Sequence, residues 1–255
     1  MRMLPLPAAL LLGAALYSLF PAFRGQPDRA IRALIARCRR LFTTKRGRTD
    51  DRSALAVALL ALAAAVILVG ALHPAITALV MAPLFSGFFI LPQGAAAKQA
   101  LSAGECAGDP AAYERRVLDA CRPMGDAFAR EVVVPMLLCA VGLPLHIGSA
   151  LAWVYADLRC SQENAAAQAI CRIVDQIGDR VTTFMLLLCA GLFGRNPLRV
   201  GGNGSGERLL HLLSLEGEVD HAPISGDISQ GAFVCCLCVA LLCLPLTGVG
   251  MLLCR

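Results

Sequence analysis

Residues 125–157 read GDAFAREVVVPMLLCAVGLPLHIGSALAWVYAD. The stretch opens on a charged collar of Asp126, Arg130 and Glu131. Residues 132–155 then hold no Asp, Glu, Lys or Arg, and Pro135, Pro144 and His146 are the breaks in an apolar run of 24 residues. At about 1.5 Å of rise per helical residue, such a run is long enough to cross roughly 30 Å of hydrocarbon. It closes on Trp153, Tyr155 and Asp157, and aromatic rings favour the membrane interface. The reading is a membrane-spanning helix.

The composition agrees. Of 255 residues, 57% are hydrophobic and 16% charged, with a mean hydropathy of +0.66. Soluble domains average about 25% charged residues. Five further apolar runs occur at residues 4–23, 54–72, 75–91, 181–193 and 233–254. The expected fold is therefore all-α: one polytopic integral membrane helical bundle spanning residues 1–255, with amphipathic cytoplasmic helices. The run at 75–91 is short and could be re-entrant. The run at 181–193 is short as well, and the amphipathic helix before it is expected to continue into it.

Charge sets the orientation. Residues 24–52 carry ten Lys or Arg against three Asp. Short basic loops stay on the cytoplasmic side. Within this loop Ile31, Leu34, Ile35, Cys38, Leu41 and Phe42 recur at helical spacing, with Arg29, Arg32, Arg39 and Arg40 largely off that stripe. Such a helix can lie on an anionic membrane face. Apolar runs on both sides of the cluster argue against nucleic acid as its partner. The same orientation puts the charged region before residue 132 in the cytoplasm, and that after residue 157 on the opposite side unless the run at 181–193 is re-entrant.

Two helices are expected between the third and fourth runs, at residues 95–103 and 111–121, the second capped by Asp109 ahead of Pro110. Residues 201–206, GGNGSG, lack the Gly-Lys-Ser/Thr ending of a phosphate-binding loop and read as a flexible linker. The twelve cysteines include Cys235, Cys236, Cys238, Cys243 and Cys254 in one apolar segment without His, Asp or Glu. A zinc site needs converging thiolates or imidazoles. These cysteines read instead as small hydrophobes, and no metal site is expected.

Three places carry a family resemblance. Residues 25–41, GQPDRAIRALIARCRRL, form a basic loop after a first span. Val134, Pro135, Met136 and Leu137 mark a span with a proline near its start. Residues 175–188, DQIGDRVTTFMLLL, hold an Asp-x4-Arg pattern ahead of a leucine run. In this order they resemble the superfamily that joins adenosylcobinamide-phosphate synthase (CobD/CbiB) of cobalamin biosynthesis with AmpE, a membrane protein linked to β-lactamase regulation. The resemblance implies residence in a bacterial inner membrane. In its synthase branch it also implies ATP-dependent joining of an amino-alcohol phosphate to a corrinoid carboxylate.

The chain departs from the synthase pattern where carboxylates and amides would hold magnesium and phosphates. Asp126, Ala127 and Arg130 stand where the resemblance implies a Glu-Asn pair and a further Asp. Trp153 replaces an Asn, and Cys171 and Arg172 replace an acidic pair. The expectation is an AmpE-like binding or signalling protein without synthase chemistry, and without a cofactor. Its possible ligand is a corrinoid or a small phosphorylated molecule. The alternative is a divergent synthase using magnesium and ATP. The candidate polar pocket comprises Asp126, Arg130, Asp157, Asp175 and Arg180, with Glu131 and Asp179 at the same helix ends. Arg180 is the first choice for gripping a phosphate or carboxylate.

Overall fold

The computed structural model describes residues 5–20, 29–30, 32–33, 36–37, 51–70, 74–106, 108–142, 147–160, 165–196, 200–215 and 222–253. Every regular element among them is helical. In chain order they are α1 (Pro5–Leu19), α2 (Asp51–Gly70), α3 (Pro74–Met81), α4 (Ile90–Ser102), α5 (Pro110–Phe128), α6 (Val134–Val141), α7 (Gly148–Cys160), α8 (Ala165–Leu192), α9 (Ser205–Leu212) and α10 (Ser225–Leu253). Two 3-10 turns, Ala82–Leu84 and Ser86–Phe89, precede α4, and a π turn, Ala129–Val133, follows α5. The apolar stripe of the basic loop lies outside the described residues. Arg29, Arg32 and Arg37 of that loop are helical and exposed.

The chain divides into two compact units. The first comprises residues 1–86, 135–174 and 247–255. Here α1 packs on α3, and α7 packs on α2. Small residues allow the approach: a Cβ on Gly13 would sit 2.9 Å from the Ala82 carbonyl oxygen. Polar side chains in this unit reach freed carbonyls. The Tyr17 hydroxyl donates to the Pro83 carbonyl at 2.7 Å, and the Trp153 indole donates to the Val80 carbonyl at 3.2 Å. Both acceptors lie where the chain leaves regular α-helix around Ala82–Leu84, so each bond satisfies a backbone group at that irregularity.

Residues 132–155 do not form one helix. The run splits into the π turn, α6 and α7, with a turn at Gly142 between the last two. A Cβ on Gly142 would lie 2.4 Å from the Gly148 Cα, and one on Gly148 would lie 2.2 Å from the Cys139 carbonyl oxygen. The start of α7 thus rests against the end of α6, a backbone-to-backbone contact open only to glycine. The run at 75–91 also breaks, at Phe85 between the two 3-10 turns. Both interruptions follow from local chemistry invisible to hydropathy.

The second unit comprises residues 87–134 and 175–246. In it α5 packs on α4 and α9, and Phe88 meets Phe128 edge-to-face at 5.5 Å between ring centres. The expected pair of helices between the third and fourth runs is present, longer than its periodicity suggested. Asp109 caps α5 by accepting from the Ala112 amide at 3.1 Å, with Pro110 at the first helical position. The amphipathic helix expected before residue 181 does continue into the run at 181–193, giving α8 its 28 residues. It ends on Gly194 at φ +70, where the Arg195 amide reaches back to the Ala190 carbonyl at 2.9 Å. That is a left-handed helix stop, which favours glycine.

Candidate functional site

The N-terminus of α9 gathers the polar side chains of the second unit. A helix leaves its first amides without internal partners, and burying them unpaired is costly. Ser205 and Gly206 open α9, and both are buried. Asp179, from α8, accepts from the Ser205 amide at 2.9 Å and from the Ser205 hydroxyl. Asp126, from the last turn of α5, accepts from the Gly206 amide at 3.0 Å. Glu207 reaches back one turn and accepts from the Asn203 amide at 2.7 Å. Three carboxylates therefore surround the positive end of one eight-residue helix.

Glycines set the closeness of this contact. A Cβ on Gly206 would lie 2.5 Å from the Arg122 carbonyl oxygen, and one on Gly125 would lie 2.5 Å from the Ser205 carbonyl oxygen. Backbone presses on backbone here, bringing the Asp126 carboxylate within reach of the α9 amides. Gly202, at φ +117, turns the chain into the helix. The GGNGSG segment, expected as a flexible linker, is instead a shaped entry whose last two residues are helical and buried. Glycine serves close packing and a left-handed turn there.

Gly178 plays a matching role on α8. A Cβ there would lie 2.2 Å from a Val134 methyl and 3.2 Å from the Ala129 carbonyl oxygen, so α8 lies directly on the π turn. Thr182, one turn further, donates to the Gly178 carbonyl at 2.9 Å and stays buried without an open polar group. The π turn itself carries Arg130 and Glu131. Such turns are uncommon and concentrate at functional sites.

The candidate polar residues separate into groups. Asp126 and Asp179 meet at consecutive amides. The run at residues 132–155 separates them in the sequence, yet they meet at one helix end. Asp175 lies one turn before Asp179 and is half-buried. Arg130 and Arg180 are exposed. Five residues of helix separate Asp175 from Arg180, a rotation of about 140°, so the Asp-x4-Arg spacing cannot turn both to one point. Asp179 and Asp175, four apart, share a side.

Asp157 belongs to the first unit. It is 0% exposed, and neither carboxylate oxygen has a hydrogen-bond partner among the described residues. Burial pushes it up to about 6, well above the usual carboxylate value. Cys121 is also held out of its ionised form: burial first, then the charge of Asp227, push the thiol up to about 12. Asp227 closes the start of α10 by accepting from the Ile224 amide at 2.8 Å, and the Tyr113 hydroxyl accepts from the Ser225 amide at 3.0 Å.

Ser205, Gly206 and Gly125 are the members of this arrangement that residue types alone did not mark. The available signal was Glu207, three residues after Gly204, an acid at the third position of a helix. Among the described residues no group of three or more His, Cys, Asp or Glu is placed to hold a metal ion. No family model matches the chain, and neither a curated protein nor a solved structure matches it.

Proposed function

We propose that the chain is an integral protein of the bacterial inner membrane, built on the scaffold shared by the CobD/CbiB synthases and AmpE, with a binding or signalling role and no synthase chemistry. The outward face of α8 carries the membrane part of this reading. Ile170, Ile173, Ile177, Phe184, Leu188 and Leu192 recur along it, with Ile173 60%, Phe184 56% and Leu192 66% exposed. The opposite side buries Ala167, Cys171, Gly178, Thr182, Cys189 and Ala190. Large apolar residues are prominent on the outward side, alongside the exposed Arg172, Gln176 and Arg180, and small residues line the inward side together with Met185 and Leu186, an arrangement that a helix with lipid beside its apolar part can adopt. A water-facing helix has the reverse arrangement.

α10 supports the same reading. Its stretch Ser225–Leu246 has a mean hydropathy of 2.1 and is only 39% buried, whereas the core helix of a soluble protein would be mostly buried. Among the described residues it is the one helix long and apolar enough to cross a membrane. The helices on either side of Phe85 pass together if counted as one broken span. We read the broken run at 132–155 as re-entrant. That reading accommodates the meeting of Asp126 with Asp179 at the α9 amides.

The binding rather than synthetic role rests on the employment of the carboxylates. Asp126 and Asp179 each turn Oδ1 to the start of α9, and the amides and further carboxylates of the synthase pattern are replaced here by Ala127, Arg130, Trp153, Cys171 and Arg172, where a magnesium–phosphate site needs oxygens for the cation. The ligand class favoured by the resemblance is a corrinoid or a small phosphorylated molecule.

Two measurements test the proposal. Membranes washed in alkaline carbonate should retain the chain, and release into the wash would overturn the membrane reading. Purified protein titrated with a corrinoid should perturb the corrinoid absorption spectrum without consuming ATP. ATP-dependent amide formation from a corrinoid carboxylate would replace the binding role with the synthase alternative.

A further inference from the structure

We propose that Cys189 and Cys238 form a disulfide when the protein meets a peroxide, locking α8 to α10. Their sulfurs lie 3.5 Å apart, and both residues are buried. A second contact fixes how the two helices run. Phe193, one turn beyond Cys189, meets Phe233, five residues before Cys238, with ring centres 6.5 Å apart. The later residue on one helix faces the earlier on the other, so α8 and α10 are antiparallel here, pinned in register by the aromatic pair. Closing the bond requires the sulfurs to approach from contact distance to about 2.05 Å, a movement of side-chain scale.

The chemistry balances with a peroxide as the oxidant. One thiol, as its thiolate, attacks a peroxide oxygen and becomes a sulfenic acid while water leaves. The second thiol attacks that sulfur, the S–S bond forms, and a second water carries away the hydroxyl. Two thiols and one hydrogen peroxide thus give one disulfide and two waters. A small uncharged oxidant suits a buried, apolar site. Val234, Val239 and Leu242 are buried on the same helix, and a disulfide places no polar hydrogen among them. An oxidant reaches a buried pair less readily, so this pair should react more slowly than Cys236, which is exposed.

Cys235 is the competing partner, buried one turn before Cys238 on the same side of α10. The contact between the two sulfurs singles out Cys238. The test uses the full chain in detergent micelles with Cys236→Ser, which removes the exposed cysteine among the described residues. Protein treated with hydrogen peroxide is denatured, alkylated and weighed. The expected result is a loss of two hydrogens, a linked peptide pair containing residues 189 and 238, a rise in the detergent challenge needed to unfold the protein, and reversal by dithiothreitol. Cys189→Ser and Cys238→Ser should each abolish the link, while Cys235→Ser should leave it. A link from Cys235, oxidation to sulfinic acid without a link, or unchanged mass with helix content intact would each overturn the proposal.

Discussion

Two buried regions treat the same chemical group in opposite ways. At the start of α9, Asp126 and Asp179 accept from amides that would otherwise be orphaned, and each negative charge meets the positive end of a helix. In the other unit, Asp157 is buried with neither oxygen bonded among the described residues. The first arrangement satisfies backbone donors, and the second leaves a buried carboxyl group without that compensation. Identical residues in one apolar chain thus differ in the backbone groups they meet.

The sharpest way to break this contrast is to push α9 off α5. Gly125→Val introduces a side chain where a Cβ alone would sit 2.5 Å from the Ser205 carbonyl oxygen. The obstacle is backbone, so the expected loss is about 3 kcal/mol, the upper part of the usual overpacking range. Unfolding in mixed micelles of mild detergent and dodecyl sulfate would measure it. Parent-like resistance in this variant would mean that α9 does not rest on α5 as described.

Asp179→Ala removes an acceptor from two donors, and Asp126→Ala from one. Expected losses are about 2 to 3 kcal/mol and about 1 kcal/mol respectively. Because both carboxylates serve one helix end, the double variant should lose less than the sum. Strict additivity in the same unfolding series would separate the two residues.

Asp157 should show the opposite sign. Its value in the folded protein is about 6 against 3.8 for the free group. Between those values the folded state binds more protons than the unfolded one, so stability falls as pH rises from about 4 to about 6. Asp157→Asn should flatten that slope and leave the variant at least as stable as the parent at neutral pH. An unchanged slope in unfolding measured across this range would show that the carboxylate has a partner in solution.

The smallest effect is expected at Arg180. It is exposed, and its removal to Ala should change stability by no more than about 0.5 kcal/mol with membrane levels unchanged. A larger loss in the same micelle titration would give Arg180 a structural role that its exposure does not explain.

Composition, the apolar runs and the caps made the helical character of this chain legible without coordinates. Asp109-Pro110 marks the start of α5, and the long periodic segment gives α8, because these signals act within a few residues of each other. The last apolar run likewise became α10. The assembly of the polar residues was not legible. Asp126 and Asp179 are 53 positions apart in the chain, and they meet because Gly125 and Gly206 allow backbones to touch. Hydropathy records no such contact. It also gave residues 132–155 as one crossing, since it counts apolar side chains and is blind to Gly142 and Gly148 packing α7 against α6. The sequence by itself determined which segments are helical and apolar, because that depends on local propensity and solvation. Tertiary structure alone decided which carboxylates are satisfied and which, like Asp157, are buried with no partner among the described residues, because that depends on which distant backbone amides arrive beside them.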